Sequence, residues 1–204
     1  MEKLDLKKLY KTLYTPPADK FTILDIPPLN YIMVDGHGNP NTAPMYVEAI
    51  QTLYALAYTL KFYVKQTLER DYNVMGLEGL WWVPDMHDFS TSKKEDWDWT
   101  MMIVQPDFIT PTLFEEARKQ AIAKGKGPLS HTARLETYTE GTCVQVMYYG
   151  AYADEGPTIA NMHAFAKEQG YRLEGKHHEI YMNDARKTAP EKLKTIIRQP
   201  IRKN

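Results

Sequence analysis

Lys176-His177-His178-Glu179-Ile180-Tyr181-Met182-Asn183-Asp184 is the stretch whose residue types could do chemistry. As a β-strand it alternates, with His177, Glu179 and Tyr181 on one face and His178, Ile180 and Met182 on the other. The second face is largely apolar and suits a helix packed on it. The first carries a carboxylate in mid-strand beside an aromatic ring. On an open sheet such a Glu is simply solvated, the commonest state for this residue. In a cleft it is a counter-charge for a cationic ligand or a general base acting on water. Pressed against aromatic rings it loses hydration, which raises its pKa and brings the base role toward neutral pH.

Other constellations read more blandly. His177 and His178 are adjacent on a strand and point to opposite faces, so they do not chelate one metal ion simply. His37 lies between two glycines, but a single Gly-x-Gly is a weak cofactor signal. No metal and no cofactor is expected. Cys143 sits in an apolar, strand-like run and reads as a small buried hydrophobe, without a local nucleophile signature. Trp97 and Trp99 alternate with Asp98 and Thr100, so both rings share a face that is either core or the wall of a cleft.

The bulk properties bound the possibilities. The chain has 204 residues and a formal net charge of -1, with nothing to draw it to nucleic acid or to an anionic membrane. One cysteine cannot form an internal disulfide, and no leader-like or membrane-length apolar run is present. A cytoplasmic location is the expectation. Fourteen Tyr, four Trp and ten Met would serve an adaptable binding surface as well as a core. Oligomeric state is not legible.

These residues must be positioned by a succession of short elements. Residues 1–20 read as an N-terminal arm, a short helix or a loose lead. The run from Phe21 to Ile26 and that from Asn30 to Val34 read as a strand broken by Pro27-Pro28. A long helix follows from about Ala43 to Asp71, with Thr42 available as cap and Tyr46, Ile50, Leu53, Ala57, Leu60 and Val64 on one face. Leu77 to Val83 and Trp97 to Val104 read as strands, with a polar loop over residues 88–96 between them. A helix from Leu113 to Lys124 ends at Gly125. Arg134 to Tyr138 and Thr142 to Tyr149 read as a hairpin or one bent strand about Glu140-Gly141. A third helix starts near Asp154-Glu155-Gly156-Pro157 and ends at Gly170. The strand of the opening stretch and a last strand from Lys192 to Ile201 complete the chain.

The order repeats. Strand–helix–strand–strand over about 21–106 recurs over about 133–204, joined by the helix at about 110–125. Met33-Val34-Asp35-Gly36 matches Met147-Tyr148-Tyr149-Gly150, and Trp82-Val83-Pro84-Asp85 matches Tyr181-Met182-Asn183-Asp184. The expected fold class is α+β, two such repeats related by a pseudo-two-fold axis, with antiparallel sheets, helices on one face and a central cleft. Aligning Asp85 with Asp184 superposes Trp82 on Tyr181 and Leu80 on Glu179. Glu78, Leu80 and Trp82 are then expected on the face of Glu179 and Tyr181.

Tyr149-Gly150-Ala151-Tyr152, Glu155-Gly156-Pro157-Thr158, Glu179-Ile180-Tyr181-Met182-Asn183-Asp184 and Pro190-Glu191-Lys192-Leu193-Lys194-Thr195 together resemble the GyrI-like small-molecule-binding family. Leu77-Glu78-Gly79-Leu80-Trp81-Trp82 resembles its stand-alone branch, and the likeness runs from about Phe21 onward. Ala151 and Ala185 stand where the family usually has Pro, which touches turn rigidity. The resemblance implies an aromatic cleft with one acidic residue facing hydrophobic or cationic ligands, as in effector domains of multidrug-sensing regulators. Glu179 stands at the matching position, with Tyr181, Trp82, Leu80, Tyr148 and Trp99 as candidate lining residues. A hydrolase reading on the same scaffold stays open. In it, water opens cyclopropane-bearing, DNA-alkylating natural products, with Glu179 as base, Tyr148 and Tyr181 as donors or positioners and Trp82 as stacking wall. A third reading is a protein-binding modulator, for example of DNA gyrase. No helix-turn-helix run precedes Phe21, so DNA binding by this chain is not expected.

Overall fold

The structure, a computed structural model, describes residues 3–86 and 93–204. Part of the loop expected over 88–96 therefore lies outside the described residues.

The N-terminal arm forms strand β1 (Lys3–Leu4) and the one-turn helices α1 (Leu6–Leu9) and α2 (Lys11–Tyr14). Then come β2 (Thr22–Ile26), β3 (Leu29–His37), α3 (Pro44–Thr67), β4 (Asp71–Tyr72), β5 (Glu78–Trp82) and β6 (Asp98–Gln105). After α4 (Pro111–Ala123) follow β7 (Arg134–Tyr138), β8 (Gly141–Tyr149), α5 (Gly156–Glu168), β9 (Tyr171–Leu173), β10 (His177–Tyr181) and β11 (Lys194–Lys203). The fold is the expected α+β class.

Local chemistry sets the helix ends. Pro44 begins α3, where a missing N–H costs nothing, and Ala43 rather than Thr42 is the capping position. The Thr110 hydroxyl accepts from the Leu113 amide at 3.3 Å and starts α4. Gly170, at φ +81°, terminates α5 in a conformation that only glycine adopts freely.

The main sheet runs β2-β8-β11-β10-β5-β6-β3-β7, with β9 added on β11, and its ladder pairs are antiparallel. Its order is symmetric about the β10–β5 junction. The outermost strands are exchanged between the halves. β2, which precedes β3 in sequence, pairs with β8, and β7, which precedes β8, pairs with β3. Arg134–Tyr138 and Gly141–Tyr149 are therefore not a hairpin, nor one bent strand. The Pro27-Pro28 pair and the Glu140-Gly141 step, with Gly141 at φ +74°, are where the chain leaves one half for the other. The Pro pair cannot continue a ladder for want of N–H donors, and Gly141, the first residue of β8, turns the chain with a left-handed backbone.

Helices α3 and α5 cover the Glu179 face of the sheet. Tyr46 of α3 packs on Trp81 and Trp99 with ring centroids 6.0 and 5.4 Å apart. Met162 and Ala166 of α5 bury against Ile197, the cross-strand partner of Glu179. Leu53, Leu56, Leu60 and Val64 of α3 are fully buried in the main core. The apolar character of His178, Ile180 and Met182 suggested a helix on the opposite face; that face instead receives the N-terminal arm. The Tyr14 hydroxyl donates to Glu78 at 3.0 Å and Arg198 donates to the Leu13 carbonyl at 2.8 Å, so the arm is docked rather than loose. Beneath it lies a sealed ionic row. His178 bridges Glu78 at 3.0 Å and Glu140 at 2.9 Å, and Arg198 donates to Glu140 at 3.0 Å. All four side chains are at most 1 % exposed. Each charge there is paired, the condition under which burial is tolerable.

Candidate functional site

Strand β10 holds Glu179 near the middle of the sheet. Its partner on β5 is Gly79 and its partner on β11 is Ile197. Tyr181, two residues on and hence on the same face, donates its hydroxyl to Glu179 Oε2 at 2.8 Å. His177, two residues back, places Nε2 3.3 Å from Glu179 Oε1. Burial alone would raise this carboxyl. Hydrogen bonds from His177 and Tyr181 and the attraction of His177 outweigh burial and hold Glu179 below the usual carboxylate range. The expectation of a raised Glu179 is thus reversed, because its hydrogen-bond donors stabilise the charged form.

The carboxyl that is pushed up is Glu155. It occupies the residue before α5, but its side chain makes no cap hydrogen bond there. It turns inward, is 2 % exposed, and lies beside Glu179 and Thr195. Burial, then the neighbouring Glu179 charge, push it up to about 9. The positive end of α5 favours its ionised form by roughly 0.3–1 kcal/mol, too little to offset burial against a like charge. Two neighbouring carboxyl groups are thereby driven apart, one ionised and one protonated at neutral pH, the usual signature of an acid–base division of labour.

Aromatic rings surround the pair. Tyr152 meets Tyr181 edge-on at 5.4 Å, and Trp81 meets Trp97 at 5.4 Å. The phenols of Tyr46 and Tyr152 are raised, first by burial and then by charge that includes Glu179. Two glycines make the ring packing possible. The ring of Trp99 lies over Gly36, where a Cβ would fall 2.0 Å from Cη2. The indole edge of Trp81 lies over Gly79, where a Cβ would fall 2.9 Å from Nε1.

The candidates named from sequence divide between the faces. Glu179, Tyr181 and Trp99 share one, with Trp99 fully buried and donating to the Gly38 carbonyl at 3.2 Å. Tyr148 lies on this face too, opposite Thr195, but its hydroxyl donates to the Ala151 carbonyl at 3.2 Å within its own turn. Glu78, Leu80 and Trp82 do not join them; Glu78 pairs with Ile180 and holds His178 on the opposite face. Leu80 pairs with His178, which fixes it on the opposite face, and Trp82 follows by period two. Trp82 there carries the Lys176 ammonium 3.3 Å over its ring. The alignment of the repeats was one residue out, and such a slip exchanges the two faces of a strand. Trp81, in register with both His177 and Trp99, is the indole that belongs with Glu179. Sequence reasoning took Glu155 only as part of a helix start and left Trp81, Tyr46 and Tyr152 without a role at the site. The legible sign for Glu155 was an acid just before Gly156-Pro157, a place where Ser, Thr, Asp or Asn would cap better.

Among the described residues no cluster of three or more His, Cys, Asp or Glu could hold a metal ion, and no helix is long and apolar enough to cross a membrane. A groove of about 420 Å³ between α3 and α4, lined by Tyr58, Phe62, Gln120 and Lys124 among others, lies away from Glu179.

The comparisons with known proteins agree with this architecture. An uncharacterized conserved protein from Listeria innocua is 38% identical with a TM-score of 0.90, the match covering 98% of this chain and 100% of that one. A hydrolase from the same organism is 37% identical with a TM-score of 0.87, over 98% and 100% of the two chains. The EcmrR C-terminal domain, 12% identical over 91% of this chain and 98% of that one with a TM-score of 0.59, shares the fold. No curated protein matches the chain. The model of the GyrI-like small molecule binding domain matches residues 19–202, and the chain belongs to that family.

Proposed function

We propose that this chain binds hydrophobic organic cations over Glu179. The observation that carries the reading is a partly buried, ionised carboxylate, 16% exposed, hydrogen-bonded by Tyr181 and His177 within a set of aromatic rings. An ionised Glu in that setting attracts a cation, and a ring face adds about 0.5–2 kcal/mol of cation–π attraction as the cation loses water. The depressed Glu179 makes this reading stronger than a general-base reading, since a carboxylate that resists protonation is a weak base. The test is titration of tryptophan fluorescence with tetraphenylphosphonium. Glu179→Gln should weaken binding about tenfold, or about 1.4 kcal/mol. Unchanged affinity would take Glu179 out of the binding reading.

A second reading, hydrolysis, is favoured by the ionised Glu179 beside the protonated Glu155 and by the 37% identical relative that is described as a hydrolase. In it Glu179 accepts a proton from water as the water oxygen bonds to the ring carbon of a cyclopropane-bearing alkylating agent. The strained carbon–carbon bond breaks, its electron pair passes into a dienone conjugated to the ring, and the dienone oxygen that gains the charge takes a proton from Tyr181 or solvent. Incubation with such a compound, followed by mass for the water-added product, tests this. Turnover that survives Glu179→Ala takes Glu179 out of the base role, and no turnover by the wild type on such compounds while it still binds them leaves only the binding reading.

A further inference from the structure

Glu155 is a buried acid without an obvious structural task. It stands before α5 without capping it. Its Oε1 is buried and has no hydrogen-bond partner among the described residues, and the same holds for Thr195 Oγ1 beside it. No Lys or Arg forms an ion pair with it among the described residues. A weaker influence of that sign comes from Lys94, whose ammonium stacks over Trp97 at 5.4 Å. Structural ion pairs elsewhere in the molecule, the sealed row of Glu78, His178, Glu140 and Arg198 above all, leave no such loose end. A carboxyl kept in this condition beside a second one points to a function in which its charge changes.

We infer that Glu155 and Glu179 together form a one-proton site, and that a bound organic cation and this proton compete for it. The inference rests on the binding reading above and adds to it what the cation displaces. With the proton on Glu155 the pair carries one negative charge. A permanent cation seated on the pair favours the doubly ionised form, so Glu155 releases its proton to solvent as the cation arrives. A neutral ligand of the same shape leaves the proton in place. By linkage the effect is reciprocal, and a rise in pH tightens the binding of cations but not of neutral ligands.

The groups around the pair set the pH range. His177 and Tyr181 face Glu179 from β10, Tyr46 from α3, and Tyr152 from the turn before α5, while Lys94 acts on Glu155. His163 of α5 lies within reach of the same cluster; burial first, then His177, push it down to about 4, so it is neutral through the range of interest. The tyrosines are raised and also stay neutral. Glu155, pushed up to about 9, is thus the carboxyl of the pair left to lose a proton near neutrality.

The experiment is calorimetry at pH 7.5 in phosphate and in Tris, buffers that differ in ionisation heat. The permanent cation is tetraphenylphosphonium and the neutral comparison is triphenylphosphine oxide. The wild type should release between about half and one proton per bound cation and none for the phosphine oxide. Glu155→Gln should still bind the cation and release none. Binding of the cation with no proton released by the wild type overturns the inference, whatever its affinity. Carboxyl NMR of the free protein labelled with 13C-glutamate checks the pair without any ligand. One resonance that titrates in the alkaline range and vanishes in Glu155→Gln is expected. If both groups titrate together near the ordinary Glu value, the one-proton site does not exist. If the pair titrates apart but neither probe binds, the binding reading fails, and the competition fails with it while the pair itself stands.

Discussion

Glu179 faces Gly79 across the β10–β5 ladder, so the carboxylate at the centre of the sheet has no side chain opposite it on one flank. The vacancy is filled from along β5 and from the neighbouring β6. The indole edge of Trp81 and the thioether of Met101 lie where a Gly79 Cβ would be, at 2.9 and 3.2 Å. A small residue on one strand therefore admits a large ring next to the charge, and backbone register, rather than any contact of Glu179 itself, decides which indole that is.

Gly79→Ala is the direct test of that relationship. The added methyl must push Trp81 and Met101 aside in a packed region, at a cost on the order of 1–3 kcal/mol. Its denaturation midpoint should fall accordingly. Cation affinity should drop as well, measured by the same fluorescence titration, because the displaced ring is the one beside Glu179. A variant as stable and as tight as wild type would mean that Trp81 has room to move.

Trp81 and Trp82 provide a paired comparison. They are sequence neighbours on opposite faces, one with Tyr46, Trp97 and Trp99, the other under Lys176. Trp82→Ala should leave cation affinity within about twofold, whereas Trp81→Ala should weaken it by tenfold or more. That corresponds to the roughly 1.4 kcal/mol that one desolvated ring face contributes. The reverse ranking would overturn the assignment of faces.

The contrast also shows what was legible in the sequence. Alternation along residues 177–181 assigned the faces of β10 correctly, because period two is local. Repeat matching identified the paired halves and the α+β class, since both depend on element order. It failed at Trp82 because the face of β5 relative to β10 depends on inter-strand register, which a one-residue alignment slip inverts. The exchange of β2 and β7 between the halves was equally out of reach. It is settled by pairing across more than a hundred residues, and neither strand carries a mark of its partner. Glu155 and Glu179, 24 residues apart in sequence, become a pair only once α5 and β10 pack, and the inversion of their ionisation follows from that contact.

The sealed ionic row makes a stability prediction. Arg198→Met removes the partner of Glu140 on one side and the donor to Gln145 and the Leu13 carbonyl on the other. Removing one member of a buried ion pair costs about 3–5 kcal/mol, because the remaining charge is left uncompensated. Denaturant unfolding should show a loss of that size, together with faster proteolysis of residues 3–17 as the arm loses its anchor. Replacing Glu78 by Gln, which keeps a hydrogen-bonding group toward Tyr14 and His178, should cost less.

The pH dependence of stability combines three buried groups, and the signs can be worked out for each. Burial opposes the His178 cation, but Glu140 and Glu78 outweigh it and raise the imidazole from 6.5 to about 9. Its stabilisation is therefore complete below about 6.5 and is lost as pH rises toward 9. Burial likewise opposes the Glu140 anion, and His178 and Arg198 outweigh it, lowering the carboxyl from 4.5 to about 2. That stabilisation is complete above about 4.5 and is lost as pH falls toward 2. Glu155 has the opposite character to Glu140. Raised from 4.5 to about 9, it binds a proton in the folded state that the unfolded chain gives up, so it penalises folding increasingly as pH climbs from 4.5 to 9. The unfolding free energy should consequently be greatest near pH 5 and should decline through neutrality to pH 9. Glu155→Gln should flatten that decline and raise stability at pH 8 above wild type, while abolishing proton release on cation binding. A gain in stability from losing a site residue is the expected mark of a group retained for function. Urea unfolding of both proteins at half-unit steps from pH 5 to 9 measures it, and parallel curves would show that Glu155 ionises normally in the folded protein.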